Sequence, residues 1–155
     1  MLEPRRPLVA ILAIGGTIAG VQTTANISSY QAAAFSVNQL IEAAPSLRNV
    51  ASIRAEQISN LGSQDMTHEV WLFLARSIDE LCHDDAVDGI VVTHGTDTIE
   101  ETAYFLIMVV RQRKGVSVGG CGVPQPCLAP MVLQTLMPRL RLRATQKLVE
   151  EGHWY

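Results

Sequence analysis

Two short segments of the chain place a threonine hydroxyl shortly after an apolar run. Thr17 follows "LVAILAI" in the segment "GGTIAG", and Thr96 follows "GIVV" in "THGTDT", with Asp97 beside it. A hydroxyl is a weak nucleophile unless a neighbouring group takes its proton. The two threonines, the carboxylate of Asp97 and the hydroxyl of Tyr30 could together supply a nucleophile, a relay and a proton donor. Considered singly, each threonine could also do no more than cap a loop.

The glycines of "GGTIAG" raise the alternative of a dinucleotide-binding turn. That fingerprint needs G-x-G-x-x-G opening directly into a helix, with an acidic residue about 20 positions later. Gly15, Gly16 and Gly20 do not have this spacing, and a polar loop, "VQTTANISSYQAAAFS", follows them in place of a helix. The segment therefore argues against a nucleotide cofactor.

The elements that must position these residues alternate along the chain. Apolar runs rich in β-branched residues predict strands at 8–14, 50–58, 89–95 and 115–118. Helical spacing of apolar residues predicts helices at 37–45, 65–82 and 97–110. Strands that alternate with helices favour an α/β fold with a parallel sheet, in which the chemistry lies at the carboxyl ends of the strands. Both threonine segments fall at such ends.

The predicted helices carry signals at their ends. Pro45 stops the first helix, and Asp65 can cap the second. Glu100 and Glu101 lie in the first turn of the third helix, and the basic segment "RQRK" (111–114) follows its last turn. Both ends of that helix therefore complement the helix dipole.

Composition excludes several classes of protein. With 155 residues, 48% of them hydrophobic, the chain can build one domain with a core and is not disordered as a whole. The three cysteines, Cys82, Cys121 and Cys127, form no disulfide framework. The cluster "CHDD" that begins at Cys82 is better explained as a solvated helix end than as a metal site, so we expect no metal.

No targeting or membrane segment is recognisable in the sequence. The apolar run at 8–14 meets "GGT" without a small-residue cleavage site, which favours a buried strand over a signal peptide. No stretch approaches the ~20 apolar residues that a bilayer requires. We expect a cytoplasmic protein that does not enter a membrane.

Taken together, the motifs resemble those of the bacterial-type (type II-like) L-asparaginase family. "ILAIGGTIAG" is similar to its first signature, with Ile14 where Thr is common, and "GIVVTHGTDTIEETAYFL" is similar to its second. "AEQISNLGSQDM" is similar to the substrate-binding segment between them. The order and spacing agree from about Leu8 to Lys114. The resemblance therefore implies an incomplete asparaginase-like parallel-sheet domain at 1–118, about the first third of a family subunit, with periplasmic relatives possible.

The resemblance implies a role for each hydroxyl. Thr17 would attack the side-chain amide carbon of L-asparagine, form a β-aspartyl enzyme and release ammonia. Tyr30, in a loop that closes over the site, would assist at that hydroxyl. Thr96 would activate or position the water that follows as second nucleophile.

The resemblance also implies the substrate-binding residues. Ser63 and Gln64 would hold the α-carboxylate and α-amino ends of the substrate, with Asp97 contributing to the amine. The substrate would be L-asparagine, with L-glutamine as a second candidate. The family needs no metal or organic cofactor, and its intact members are homotetramers.

Some parts of the family's site are expected outside these 155 residues. The family's Thr-Asp pair is completed by a lysine beyond residue 155, and residues of a second subunit's C-terminal domain close the site. We therefore expect this polypeptide to be inactive alone and not to assemble correctly. The alternative function is that of a non-catalytic remnant or a weak amino-acid-binding fragment.

The segment 119–155 departs from the pattern before it. Residues 1–101 carry five basic and thirteen acidic side chains, whereas residues 102–155 carry seven and two. A basic arm would bind the phosphates of a nucleic acid, but "MVLQTLMPRLRLRA" is too apolar for one and has no interleaved aromatic residues. A basic membrane-surface segment has little support. We expect no nucleic-acid partner.

A shifted reading frame explains this tail better. Read from the third base of the Gly120 codon, its codons permit Met-Arg, Pro-Ser-Thr and Ser-Ala-Asp-Gly-Pro in the order in which the family has them. We therefore predict that 119–155 is an anomalous basic tail that is out of frame.

Overall fold

The computed structural model describes residues 5–15, 36–42, 44–111 and 114–120, together with the backbone of 21–22 and 30–31. The strands are β1 (Leu8–Gly15), β2 (Val21–Gln22), β3 (Tyr30–Gln31), β4 (Ser52–Leu61), β5 (Gly89–Thr93) and β6 (Gly115–Gly119). The helices are α1 (Val37–Glu42), α2 (Leu47–Val50), α3 (His68–His83) and α4 (Ile99–Val109), with a 3₁₀ turn at Ser63–Asp65.

Four of the strands form one parallel sheet in the order β4-β1-β5-β6. β1 pairs with β4 from Leu8 opposite Ser52 and with β5 from Val9 opposite Gly89, and β5 pairs with β6 from Gly89 opposite Gly115. This arrangement confirms the α/β fold with a parallel sheet. All four strands of this sheet were predicted, although β5 ends at Thr93, two residues earlier than expected.

The central strand β1 is buried on both faces. One set of alternating side chains packs against α1 and α2, and the other packs against α3 and α4. The first set is Val9, Ile11 and Ala13; the second is Ala10, Leu12 and Ile14. Each large aliphatic side chain removed from water contributes about 1.5–3 kcal/mol. This two-sided burial explains why the sequence of β1 is a continuous apolar run.

The strand order of the sheet changes direction between β1 and β5, although all four strands run parallel. From β1 the chain proceeds to β4 on one side, and from β5 it proceeds to β6 on the other. In open parallel sheets a crevice forms at such a point, outside the carboxyl ends of the two strands. Ala13 of β1 lies opposite Thr93 of β5, so the two strands reach this edge together.

Two details of the helix ends differ from the sequence-based expectation. The N-cap of α3 is Thr67, whose side chain accepts a hydrogen bond from the backbone N–H of Val70, whereas Asp65 belongs to the preceding 3₁₀ turn. Lys114 does not complement the end of α4. Its Nζ donates to the carbonyls of Leu81 and Asp84, at the C-terminal end of α3.

Other local predictions were only partly correct. The polar loop expected at 21–36 contains a two-residue antiparallel pair, β2 with β3, and the short helix α2 was not predicted. In the "CHDD" cluster, His83 and Asp85 are exposed as expected for a helix end, but Cys82 is buried in the core. Within the described part of the chain, no helix is long and apolar enough to span a membrane.

Candidate active site

The carboxyl end of β1 is held by side chains of its neighbour β4. The pairing register shifts here, from Ala13 opposite Gln57 to Gly15 opposite Leu61. The side-chain amide of Gln57 donates to the Ala13 carbonyl at 3.1 Å, and the hydroxyl of Ser59 donates to the Ile14 carbonyl at 2.8 Å. Side chains thus bond carbonyls where the strand register is interrupted, as buried backbone groups require.

Gly15 closes β1 in a conformation that favours glycine. Its φ is 115°, a region that side-chain-bearing residues rarely adopt. Thr17, the predicted nucleophile, follows two residues later and lies outside the described residues. The strand β1 therefore ends two residues before Thr17.

The segment after β4 brings Ser63 to the turn after β5. Ser63 is only 3% exposed and begins the 3₁₀ turn. Its hydroxyl accepts from the Asp97 backbone N–H at 3.3 Å and lies 3.2 Å from the Asp97 carboxylate, to which it can donate. The Thr98 hydroxyl donates to the Ser63 carbonyl at 2.7 Å. Two motifs that lie far apart in the sequence are joined here by three hydrogen bonds.

Three of the predicted site residues expose their side chains beside this junction. Gln64, Thr96 and Asp97 are all exposed, although their neighbours Ser63 and Gly95 are buried. Polar side chains carried on a buried framework can reach a small molecule without first unfolding the turn.

Gly62 lies close to the side chain of Gln64. A Cβ at position 62 would lie 2.6–2.8 Å from the Gln64 amide group. Any larger residue would therefore displace that amide. The glycine allows Gln64 to occupy its observed position.

The turn after β5 contacts the end of β6. The backbone N–H of His94 donates to the Gly119 carbonyl at 2.9 Å, and a Cβ at Gly120 would lie 2.6 Å from the His94 carbonyl oxygen. Thr93 is fully buried at the same level, and its hydroxyl has no hydrogen-bond partner among the described residues. The end of β6 therefore packs tightly under the segment that carries Thr96.

The His94 ring is buried in a polar contact chain. Its Nδ1 lies 2.8 Å from the Gly95 carbonyl, and its Nε2 lies 2.8 Å from the Thr102 hydroxyl. The indole N–H of Trp71 donates to the same hydroxyl at 2.8 Å. Burial lowers the pKa of His94, while the Gly95 carbonyl and the charge of Glu101 act in the opposite direction.

Sequence reasoning did not identify Gln57, Ser59, His94, Thr102 or Trp71 as parts of this region. His94 did carry a signal, because a titratable residue directly after a buried apolar strand must find polar partners. The helical residues Trp71 and Thr102 gave none, since their positions fit an ordinary amphipathic helix.

The remaining predicted residues are only partly described. Tyr30 belongs to β3, where it pairs with Gln22 through the backbone. Of the two lysines, Lys114 is bound at the end of α3 and Lys147 lies outside the described residues. The predicted tail begins at 119, yet β6 continues through Gly119 in register with Thr93. From residue 121 onward the tail lies outside the described residues, so its shifted frame stays a prediction.

The family model described as "Asparaginase, N-terminal" matches residues 8–126. The chain belongs to the asparaginase family. It is 50% identical over 118 residues to a probable periplasmic L-asparaginase of Haemophilus influenzae, covering 76% of this chain and 33% of that relative. It is 47% identical over 113 residues to a glutaminase-asparaginase of Pseudomonas aeruginosa, covering 72% and 31%.

A solved structure supports the same assignment. The fold matches that of a probable cytoplasmic L-asparaginase from Campylobacter jejuni with a TM-score of 0.81 at 36% identity, over 88% of this chain and 44% of that one. This asparaginase-family chain thus spans about a third of the length of the curated relatives above. The resemblance stated from the motifs, to the N-terminal part of a family subunit, is confirmed.

Proposed function

We propose that this chain carries the nucleophile and the substrate-binding residues of an L-asparaginase-type amidohydrolase, which converts L-asparagine and water into L-aspartate and ammonia. The contact between Ser63 and Asp97 carries this proposal. It joins the substrate-binding segment to the second signature near the carboxyl ends of β1 and β5. The strand β1, which carries the first part of the first signature, ends at Gly15 at the same edge of the sheet.

In this proposal the substrate is held by its amino-acid end. The Asp97 carboxylate faces the α-ammonium group, and Ser63 and Gln64 bind the α-carboxylate and α-amino groups. Because Gln64 and Asp97 are exposed, a ligand can reach them. Hydrogen bonds between the charged ends of the substrate and these side chains are charge-assisted and therefore stronger than neutral ones. They can hold the side-chain amide of the substrate at a defined distance from the strand ends.

The chemistry is an acyl transfer in two steps. The Thr17 hydroxyl attacks the amide carbon, its proton is transferred towards the departing nitrogen, and ammonia leaves with formation of a β-aspartyl ester. Water, positioned by Thr96, then attacks the ester and releases L-aspartate and the free hydroxyl. Tyr30 assists at the nucleophile. Dividing the reaction through a covalent intermediate replaces one difficult step with two easier ones.

L-Glutamine is a second candidate substrate. It is longer than L-asparagine by one methylene group, a difference that binding sites discriminate by only about 1–3 kcal/mol. The Pseudomonas aeruginosa relative is described as a glutaminase-asparaginase. We therefore include the longer amide and expect a preference, not an exclusion.

The 155-residue polypeptide by itself is proposed to bind but not to turn over its substrate. Lys114 is engaged by Leu81 and Asp84 at the end of α3, so it cannot reach Asp97 as the family's lysine would. Loss of general-base assistance reduces rates by about 10²–10⁴-fold. We also propose that this polypeptide does not form the family's homotetramer.

Two assays on the purified polypeptide test the proposal. Isotope-labelled chain titrated with L-aspartate should show saturable shifts of the Ser63, Gln64 and Asp97 amides, which Asp97→Ala abolishes. The absence of these shifts in the folded wild-type chain would refute the assigned binding site. Ammonia release from L-asparagine should stay at background, as the alternative of a non-catalytic amino-acid-binding fragment also requires. Release that disappears in Thr17→Ala would show that the polypeptide is a complete catalyst.

A further inference from the structure

A buried polar relay connects two helices to the turn that carries Thr96 and Asp97. It runs from Trp71 of α3 to Thr102 of α4 and from there to the ring of His94, with 2.8 Å between the atoms of each pair. The His94 ring ends the relay at the Gly95 carbonyl, again at 2.8 Å. His94 and Thr102 are both fully buried.

The partners of the relay determine where each proton lies. A carbonyl oxygen can only accept, so His94 Nδ1 must carry the proton that bonds Gly95. In the neutral ring Nε2 then has a lone pair, which accepts from the Thr102 hydroxyl. That hydroxyl in turn accepts the indole N–H of Trp71. With these proton positions each donor faces an acceptor, and all three hydrogen bonds run in the same order, from Trp71 through Thr102 and His94 to Gly95.

The surroundings favour the neutral ring that this assignment needs. Full burial disfavours the imidazolium form, and the pKa of His94 is accordingly lowered. The charged group that acts on it is Glu101, in the first turn of α4, which has the opposite but smaller effect. The helices that flank the ring therefore hold it by neutral hydrogen bonds.

The end of the relay controls a peptide group of the candidate site. The Gly95 carbonyl and the Thr96 N–H belong to one planar trans unit, so the direction of one fixes the direction of the other. The His94 ring holds that carbonyl towards the interior. The chain must therefore leave the turn at Thr96 in one orientation, from which Thr96 and Asp97 expose their side chains.

We propose that His94 is a positioning residue, locked in its Nδ1–H tautomer by Trp71 and Thr102, which sets the orientation of Thr96 and Asp97 through the Gly95–Thr96 peptide. It touches no reacting atom itself. The value of this positioning for catalysis rests on the proposed function, whereas the tautomer and the orientation of the turn can be observed without it.

The experiment uses the full 155-residue chain labelled with ¹⁵N. The ring nitrogens of His94, assigned with His94→Asn, should show a protonated Nδ1 and an unprotonated Nε2. This state should persist below pH 6.5, the ordinary pKa of a histidine side chain. An Nε2–H tautomer, or a ring that becomes protonated already at pH 6.5 or above, would overturn the proposal.

A matched pair of substitutions tests the relay itself. Thr102→Val removes the hydroxyl while keeping the shape of the side chain, and Thr102→Ser keeps the hydroxyl. We expect the Gly95, Thr96 and Asp97 amide signals to shift in Thr102→Val and to stay near their wild-type positions in Thr102→Ser. Equal shifts in both variants, or shifts in neither, would refute the positioning role.

Binding of L-aspartate separates this proposal from the proposed function. Loss of orientation in Thr102→Val should weaken the affinity about tenfold, equivalent to one hydrogen bond, and Thr102→Ser should restore it. A wild-type chain with the Nδ1–H tautomer and the expected amide shifts, but without affinity for L-aspartate, would refute the proposed function and leave the relay supported.

Discussion

The clamp formed by Gln57 offers a sharp test of how the end of β1 is held. Its side-chain oxygen accepts the Val37 N–H at 2.9 Å, at the start of α1, and its amide nitrogen donates to the carbonyls of Ala13 and Ser59. One side chain thereby joins β1, β4 and α1. In Gln57→Met a side chain of similar length replaces the amide, so the packing volume changes little while all three bonds are lost.

The expected loss of stability follows from these bonds. A typical hydrogen bond contributes about 0.5–1.5 kcal/mol, and leaving a buried partner unpaired costs about 1–3 kcal/mol. Because Gln57 is exposed and its hydrogen bonds are at most partly buried, water can reach some of the freed groups. We therefore expect the free energy of unfolding to fall by about 2 kcal/mol in Gln57→Met.

Gln39→Met is the matched control. Gln39 accepts the Ser36 N–H at 2.8 Å in a capping box at the start of α1, but the interaction is exposed. Loss of such a cap costs about 0.5–1 kcal/mol. Urea unfolding followed by circular dichroism gives both values, with unchanged m-values as the sign that unfolded states are comparable. A Gln57→Met variant no less stable than Gln39→Met would refute the clamp.

Three further predictions concern pH, packing and the reading frame. Because burial lowers the pKa of His94, the unfolded chain takes up its proton first, so stability should decline as pH falls below about 6.5, by up to about 1.4 kcal/mol per pH unit. Urea titrations at several pH values should show that His94→Asn reduces this slope, and an unchanged slope in that variant would contradict the prediction. Gly120→Ala should cost about 1–3 kcal/mol in the same assay, since its Cβ would meet the His94 backbone, whereas Gly62→Ala should cost less because the Gln64 side chain can move. The coding DNA read from the third base of the Gly120 codon should spell Met-Arg, Pro-Ser-Thr and Ser-Ala-Asp-Gly-Pro; other residues or an early stop in that frame would show that the tail is genuine.

The two central strands of the parallel sheet were predictable because they are buried. The strands β1 and β5 are continuous apolar runs, and only strands covered on both faces in an α/β sheet require such runs. The helices α3 and α4 show clear apolar spacing for the same reason, since one side of each packs against the sheet. Burial therefore left a pattern that a single sequence can reveal.

The helix ends were less predictable because several groups compete for the same role. Asp65 and Thr67 are both good N-cap residues, and the choice between them depends on the 3₁₀ turn that takes up Asp65. Lys114 follows α4 in sequence, yet the sheet brings it to the end of α3. Spacing along the sequence cannot show whether a basic residue bonds the last carbonyls of its own helix or those of a neighbouring helix.

The sequence suggested candidate residues for the site but not the contacts between them. The motifs point to Ser63 and Asp97 as candidates, whereas the hydrogen bond between the two residues depends on the parallel pairing of strands that are distant in sequence. The relay of Trp71, Thr102 and His94 depends further on how α3 and α4 meet above the sheet. The sequence does not show whether a polar residue on a helix is buried in such a relay or exposed to solvent.

The burial of these residues separates two kinds of substitution. Gln64 and Thr96 are exposed, so replacing them removes few packing contacts and should leave stability nearly unchanged. Asp97 is exposed as well, but its carboxylate accepts from the buried Ser63 hydroxyl, so replacing it should also lower stability. His94 and Thr102 are fully buried, and their loss leaves partners unpaired in the interior. Substitutions of Gln64 or Thr96 should therefore weaken ligand binding alone, whereas those of the buried group should lower stability and binding together. The buried residues that support the candidate site are thus constrained more strongly by folding than the exposed residues that are proposed to touch the ligand.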